Sequence, residues 1–265
     1  MSRYEFLCGN AFKSLCKYSV GHYSSAREHH FSFNIRNDVE NNYIFCKTEY
    51  IPTFFEYIKP EFDFVLFTHN SDVPIDCQFL KWLNNPRVLK WYGQNINIEH
   101  QKLHSIPIGL ANPKWAHGNP EEFKSALASE PWKNKKNLLY ANFDVLTNPQ
   151  ERQSCLKYTN ATPPERMPFK DYLNDVAESY FVLSPNGNGI DCHKHWETFH
   201  MHAIPIVTQS ANLKFYEDLP FLVLEDWSHF GELNLTPQLY HDIWTDFNPD
   251  ELLFNNFVKK LKISS

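Results

Sequence analysis

The chain has 265 residues, 42% of them hydrophobic and 16% aromatic, enough for a full core in one large domain or two small ones. Its formal net charge of −6 argues against a general nucleic-acid binder, which needs a basic face. No apolar run is long enough to span a bilayer, the first twenty residues carry no signal-peptide core, and the six cysteines are scattered without a CxxC pair. The expectation is a soluble, cytoplasmic protein without membrane insertion, a disulfide framework or a zinc ribbon.

Strand-like and helix-like segments alternate along the chain, the pattern of an α/β protein with mostly parallel sheets. Asn42 to Cys46 reads as a strand and Thr48 to Lys59 as a helix, with Pro60 behind it. Phe62 to Phe67 (FDFVLF) is the clearest buried strand of the first half, and it runs into the polar loop Thr68-His69-Asn70-Ser71-Asp72. Arg87 to Trp91 and Leu103 to Ile108 read as further strands, the first followed by Tyr92-Gly93-Gln94-Asn95. Asn119 to Ala128 has helical spacing, and Lys133 to Lys136 forms a basic connector.

A strand restarts at Asn137 to Asn142. Helices are expected over Pro149 to Tyr158, with proline in the first turn, and over Met167 to Ser179. Asn212 to Tyr216 and Phe221 to Leu224 read as one more helix–strand unit, and Thr236 to Lys262 as a helical tail broken near Asn248-Pro249. A boundary near residues 130–136 divides the chain into two similar α/β halves, 1–132 and 133–265, with the C-terminal helices able to pack back on the first. A cleft between such halves is the natural ligand site.

The most informative stretch is YFVLSPNGNGIDCHKHWETFHMHAIPIV, Tyr180 to Val207. An apolar strand meets Ser184-Pro185-Asn186-Gly187-Asn188-Gly189, a run of turn formers. A helix follows, with Asp191 as its expected cap and Lys194 and Glu197 one turn apart. Ala203 to Val207 returns to strand. A strand feeding a polar loop and a helix N-terminus suits an anion, because free N–H groups and the helix dipole both face it. His193 and Glu197 also stand at a spacing that can hold zinc, but HExxH is absent and no third ligand is evident, so that reading ranks lower.

This stretch resembles the donor-binding segment of exostosin-like glycosyltransferases, in which a helix carries Arg-x-x-Glu-Ala and a short proline-containing strand follows. Glu197 matches the family's ribose-binding glutamate, Lys194 stands at its arginine, and Thr198 replaces its alanine. KNLLYANFDVLTNPQERQ, with Arg152, is similar to the opening of the same domain. LKWYGQNINIEHQKLHSIPIGLAN, with Gln94, Asn95 and Gly109, is similar to the acceptor half of small soluble members in bacteria and large algal viruses. Good matches cover about a third of the chain.

The resemblance implies a GT-B-like fold of two Rossmann-like halves with a cleft between them. It also implies transfer of a sugar from a nucleotide donor to a glycan or glycoprotein acceptor, inverting the anomeric carbon. The expected donor is a UDP-sugar, UDP-xylose as a first guess, with no separate cofactor. No Asp-x-Asp occurs to hold a metal on the diphosphate, so neutralisation is expected from Lys194 and Arg152, with Ser184 and the Asn186, Gly187, Asn188 and Gly189 backbone as further donors. Glu197 is expected on the ribose. An inverting transfer needs a base on the acceptor half, and Asp72, helped or replaced by His69, is the choice. Trp91, Tyr92, Gln94 and Asn95 are the acceptor-binding candidates, with Trp115 as a further aromatic that could stack on a sugar. The competing readings are a zinc-dependent hydrolase and a non-catalytic glycan-binding protein.

Overall fold

The computed structural model describes residues 4–24, 29–162 and 166–263. The protein is a mixed α/β structure containing two sheets. Tyr18–Ser24 (β1), His29–Ile35 (β2), Tyr43–Cys46 (β3), Phe64–Thr68 (β4), Val88–Gly93 (β5) and Leu103–Ser105 (β6) form a six-stranded sheet in the order β2-β1-β3-β4-β5-β6. Only β2 runs antiparallel; its register with β1 pairs Tyr18 with Ile35 and Ser24 with His29. Asn137–Ala141 (β7), Ser179–Leu183 (β8), Ile204–Thr208 (β9) and Leu222–Leu224 (β10) form an all-parallel sheet in the order β10-β9-β8-β7.

The period-2 alternation of each strand sorts its side chains onto two faces. Ile44, Cys46, Phe64, Leu66 and Trp91 point to one side of the first sheet and join one apolar cluster. Phe45, Phe67 and Tyr92 point to the other and join a second. That second cluster also takes Val182 from the four-stranded sheet, Ala203 from just before β9, and Trp196, Phe199, Phe254 and Phe257 from helices. The opposite face of the second sheet supplies Phe181, Leu183, Ile204 and Ile206 to a third cluster. Apolar packing on both faces is what an all-apolar parallel strand requires. The central cluster draws on both halves, so the two sheets share one core between them, and each keeps a further cluster on its other face.

The expected strands of the first half appear within two or three residues of their expected ends. The β1–β2 hairpin and the short Gly9–Ser14 helix had no counterpart in the sequence reading. The helix expected from Thr48 runs through 3₁₀, α and π turns to Ile58, and stops where Lys59 turns left-handed. Asn119 and Asn148 cap the Pro120–Ala128 and Pro149–Thr159 helices, accepting from Glu121 N and Glu151 N. The helix expected from Met167 spans Phe169–Ala177. The C-terminal Phe254–Lys260 helix returns to the first half: Phe254 meets Phe12 edge-on at 5.5 Å, and Phe254 N donates to Glu5 O (2.7 Å). Among the described residues no helix is long and apolar enough to cross a membrane.

Candidate functional site

The loops that follow β5 and β6 meet the loop and helix that follow β8. Asp191 is the centre of this junction. Its Oδ2 accepts from Ile108 N (2.7 Å), its Oδ1 accepts from Trp196 Nε1 (2.7 Å), and its own N–H donates to Asn95 Oδ1 (3.0 Å). The expectation that Asp191 caps the helix is therefore corrected. The N-cap of the His193–His200 helix is Cys192, whose sulfur accepts from the N3 amide while the His195 side chain reaches back to the Cys192 amide. Asp191 is one residue too early to cap, and its carboxylate is committed to the other half. His193 Nδ1 lies 2.7 Å from Gly109 O and donates to it, a second tie between the halves.

The Asn186–Gly189 loop sits at the C-terminal end of β8 and is pinned by its own surroundings. Arg152 is buried; its Nε donates to Asn186 O (3.1 Å) and its Nη1 to Asp144 O. Asn148 Nδ2 donates to Gly187 O (2.9 Å), and Gly187 N donates to Cys192 Sγ (2.9 Å). The amide of Gly187, expected to face an anion, is thus already used. Burial lowers the Arg152 pKa from its ordinary high value, and its Nη2 has no hydrogen-bond partner among the described residues. Gly189 is glycine for lack of room: a Cβ there would stand 2.8 Å from Asn95 Nδ2. Ser184 is fully buried, with its Oγ unpartnered among the described residues, and Asn188 is exposed.

Lys194 and Glu197 share a helix face, as their spacing requires, but no direct ion pair joins them. Tyr172, from the Phe169–Ala177 helix, stands between. Its hydroxyl accepts from Lys194 Nζ (3.0 Å) and donates to Glu197 Oε2 (2.8 Å), and the ammonium lies 4.4 Å above the phenol ring. Burial lowers the Lys194 pKa to about 8, partly offset by the Glu197 charge. Burial, then the neighbouring Glu197 charge, pushes the Tyr172 phenol well up, so it stays a neutral donor. Glu197 Oε1 and two of the three ammonium protons of Lys194 keep no bonded partner among the described residues. Beside this array Asn142 Nδ2 donates to Tyr140 Oη (3.0 Å), and that hydroxyl donates to Asp175 Oδ2 (3.2 Å). Tyr172 was missed in the sequence because it lies on the buried face of an amphipathic helix, where an aromatic reads as core.

On the first half, the candidates separate. Trp91 is 0% exposed and donates from Nε1 to Thr68 Oγ1 (2.8 Å); Tyr92 is 5% exposed and stacks on Phe67 at 5.0 Å. Both are core residues of a central strand, which corrects the expectation that they hold an acceptor. Gln94 and Asn95 are also buried. Asn95 spends its carboxamide on Asp191 N and on Ser71 O (3.0 Å), whereas Gln94 Nε2 has no partner among the described residues.

His69 is buried at the C-terminal end of β4. Asn70 N donates to its Nδ1 (2.7 Å), and its Nε2 donates to Pro107 O (3.0 Å). Burial depresses its pKa to about 4, so it is neutral with both nitrogens engaged, and the expectation of a helper base is corrected. Asp72 is exposed and bonded to no other described residue. Among the described residues no group of three His, Cys, Asp or Glu side chains could hold a metal ion. Neither protein-family models nor curated proteins match this sequence.

Proposed function

We propose that the protein transfers a sugar from a nucleotide donor, most readily a UDP-sugar, to a glycan acceptor, in a GT-B-like arrangement of two Rossmann-like halves akin to the exostosin-like enzymes. The observation that carries this reading is the Lys194–Tyr172–Glu197 array, next to the glycine-bearing loop and helix start at the C-terminal end of β8. It supplies what the leaving group needs. The partly free ammonium of Lys194 and the free Nη2 of Arg152 neutralise the diphosphate, and the unbonded Oε1 of Glu197 accepts from the ribose hydroxyls. Tyr172 holds Glu197 and Lys194 apart so that neither cancels the other.

The acceptor hydroxyl attacks the anomeric carbon as the nucleoside diphosphate departs, and its proton passes to a carboxylate. With His69 bonded at both nitrogens, Asp72, in the loop after β4, is the remaining candidate, and its oxygens are free among the described residues. The test is calorimetry of UDP on the wild type and on Glu197→Ala. Loss of hydrogen bonds to a charged group predicts about 1–3 kcal/mol weaker binding. Unchanged affinity in a folded variant overturns the ribose assignment.

A further inference from the structure

A cavity of about 420 Å³ lies between the N-terminal segment and the loop and helix after β6. It is well within the size of a small-molecule site. Phe6, Leu110 and Pro113 furnish apolar wall, and Asn10 brings a carboxamide. Glu5 and Glu121 stand on either side of Lys124, whose Nζ is 3.1 Å from the first carboxylate and 3.3 Å from the second; all three side chains are about half or more exposed. The rim therefore carries one more negative than positive charge.

Two short connections join this cavity to the site. Asn10 N donates to Asn112 Oδ1 (2.7 Å), and Asn112 Nδ2 donates to Asn70 Oδ1 (2.8 Å) in the loop after β4. Leu110 follows Gly109, whose carbonyl accepts from His193 at the start of the Lys194 helix.

We infer that this cavity is the acceptor subsite and that it takes an uncharged sugar ring, with uronates and phosphorylated sugars excluded. The inference rests on the transferase reading above. A pyranose has apolar C–H faces that suit Phe6 and Pro113, and hydroxyls that suit carboxamide and carboxylate acceptors. Nothing in the rim favours an anion: Lys124 is already shared by two carboxylates, and a third would meet their surplus charge. The cavity lies on the acceptor half, and Asn10 in its lining is joined through Asn112 to Asn70 in the loop that carries Asp72.

Saturation-transfer NMR on the full chain tests this, with methyl β-xyloside, methyl β-galactoside and methyl β-glucuronide as probes. UDP binding is followed in parallel by calorimetry. The neutral glycosides should show transfer, and the glucuronide should bind roughly tenfold more weakly, as expected for like-charge discrimination. Pro113 is exposed, so Pro113→Trp should block the mouth and abolish glycoside transfer while UDP still binds. Glu5→Gln with Glu121→Gln should narrow the gap between neutral and anionic probes. The inference fails if neither neutral glycoside shows transfer, if the glucuronide binds equally well or better, or if Pro113→Trp changes nothing. A wild type that binds the neutral glycosides but not UDP leaves the subsite standing and sinks the donor reading instead.

Discussion

Tyr172 offers the sharpest perturbation, because one oxygen atom joins a buried carboxylate and a half-buried ammonium. Tyr172→Phe removes the donor to Glu197 Oε2 (2.8 Å) and the acceptor from Lys194 Nζ (3.0 Å) while leaving the ring in place. Each lost bond involves a charged group, and hydrogen bonds to charges contribute about 1.5–3 kcal/mol. Part returns if Lys194 and Glu197 rotate toward one another, since they share a helix face. The expected net loss of folding stability is therefore about 2–3 kcal/mol. Urea unfolding with an unchanged m value measures it.

The second half of that experiment is a double-mutant cycle with Glu197→Gln. If the phenol acts by holding the carboxylate, the two changes overlap, and the coupling should be at least about 1 kcal/mol. Effects that add within about 0.3 kcal/mol would refute the claim that Tyr172 and Glu197 work as a pair.

Burial depresses His69 and His202 to about 4 and His200 to about 3. The unfolded chain takes up these protons near pH 6.5 while the folded chain does not. Stability is thus full above pH 6.5 and lost as the pH falls toward 4, by up to about 1.4 kcal/mol per pH unit for each histidine; chemical denaturation across pH 4–8 reads this, and a flat profile contradicts it. Asp72→Asn should cut kcat at least ~10²-fold, the lower end of general-base contributions, with UDP affinity unchanged, and near-normal turnover moves the base elsewhere. Asp191→Ala strands the donors Ile108 N and Trp196 Nε1 in the interior. At about 1–3 kcal/mol for each unsatisfied donor, the loss should reach about 3–5 kcal/mol by thermal or urea unfolding, and a loss under about 1 kcal/mol means that the junction is not held by this carboxylate.

Local chemistry made much of the architecture legible. FDFVLF alternates between two buried faces, and Pro, Asn and Gly punctuate the chain where strands and helices end, so the parallel strands β3 to β9 and most helices could be read in order. The hairpin β1–β2 could not, because Ser19, Gly21, Ser24 and Ser32 dilute the apolar alternation that marks a strand. Its two strands are held by seven pairs with each other, and only Tyr18 and Ser19 reach β3, pairings that the residue pattern of either strand alone does not show.

The same division holds at the site. Lys194 and Glu197 were found from helical spacing and from the loop that precedes them. Spacing along one helix could not show that Tyr172, 25 residues from Glu197, inserts between them, nor that Asp191 reaches across 83 residues to Ile108. Burial decided the remainder. Trp91, Tyr92 and His69 carry side chains suited to a ligand, but the fold spends the first two on packing and both nitrogens of the third on backbone groups. A side chain's chemistry is written in the sequence; whether that chemistry remains available depends on which distant atoms arrive to use it, and only the packed tertiary structure determines that.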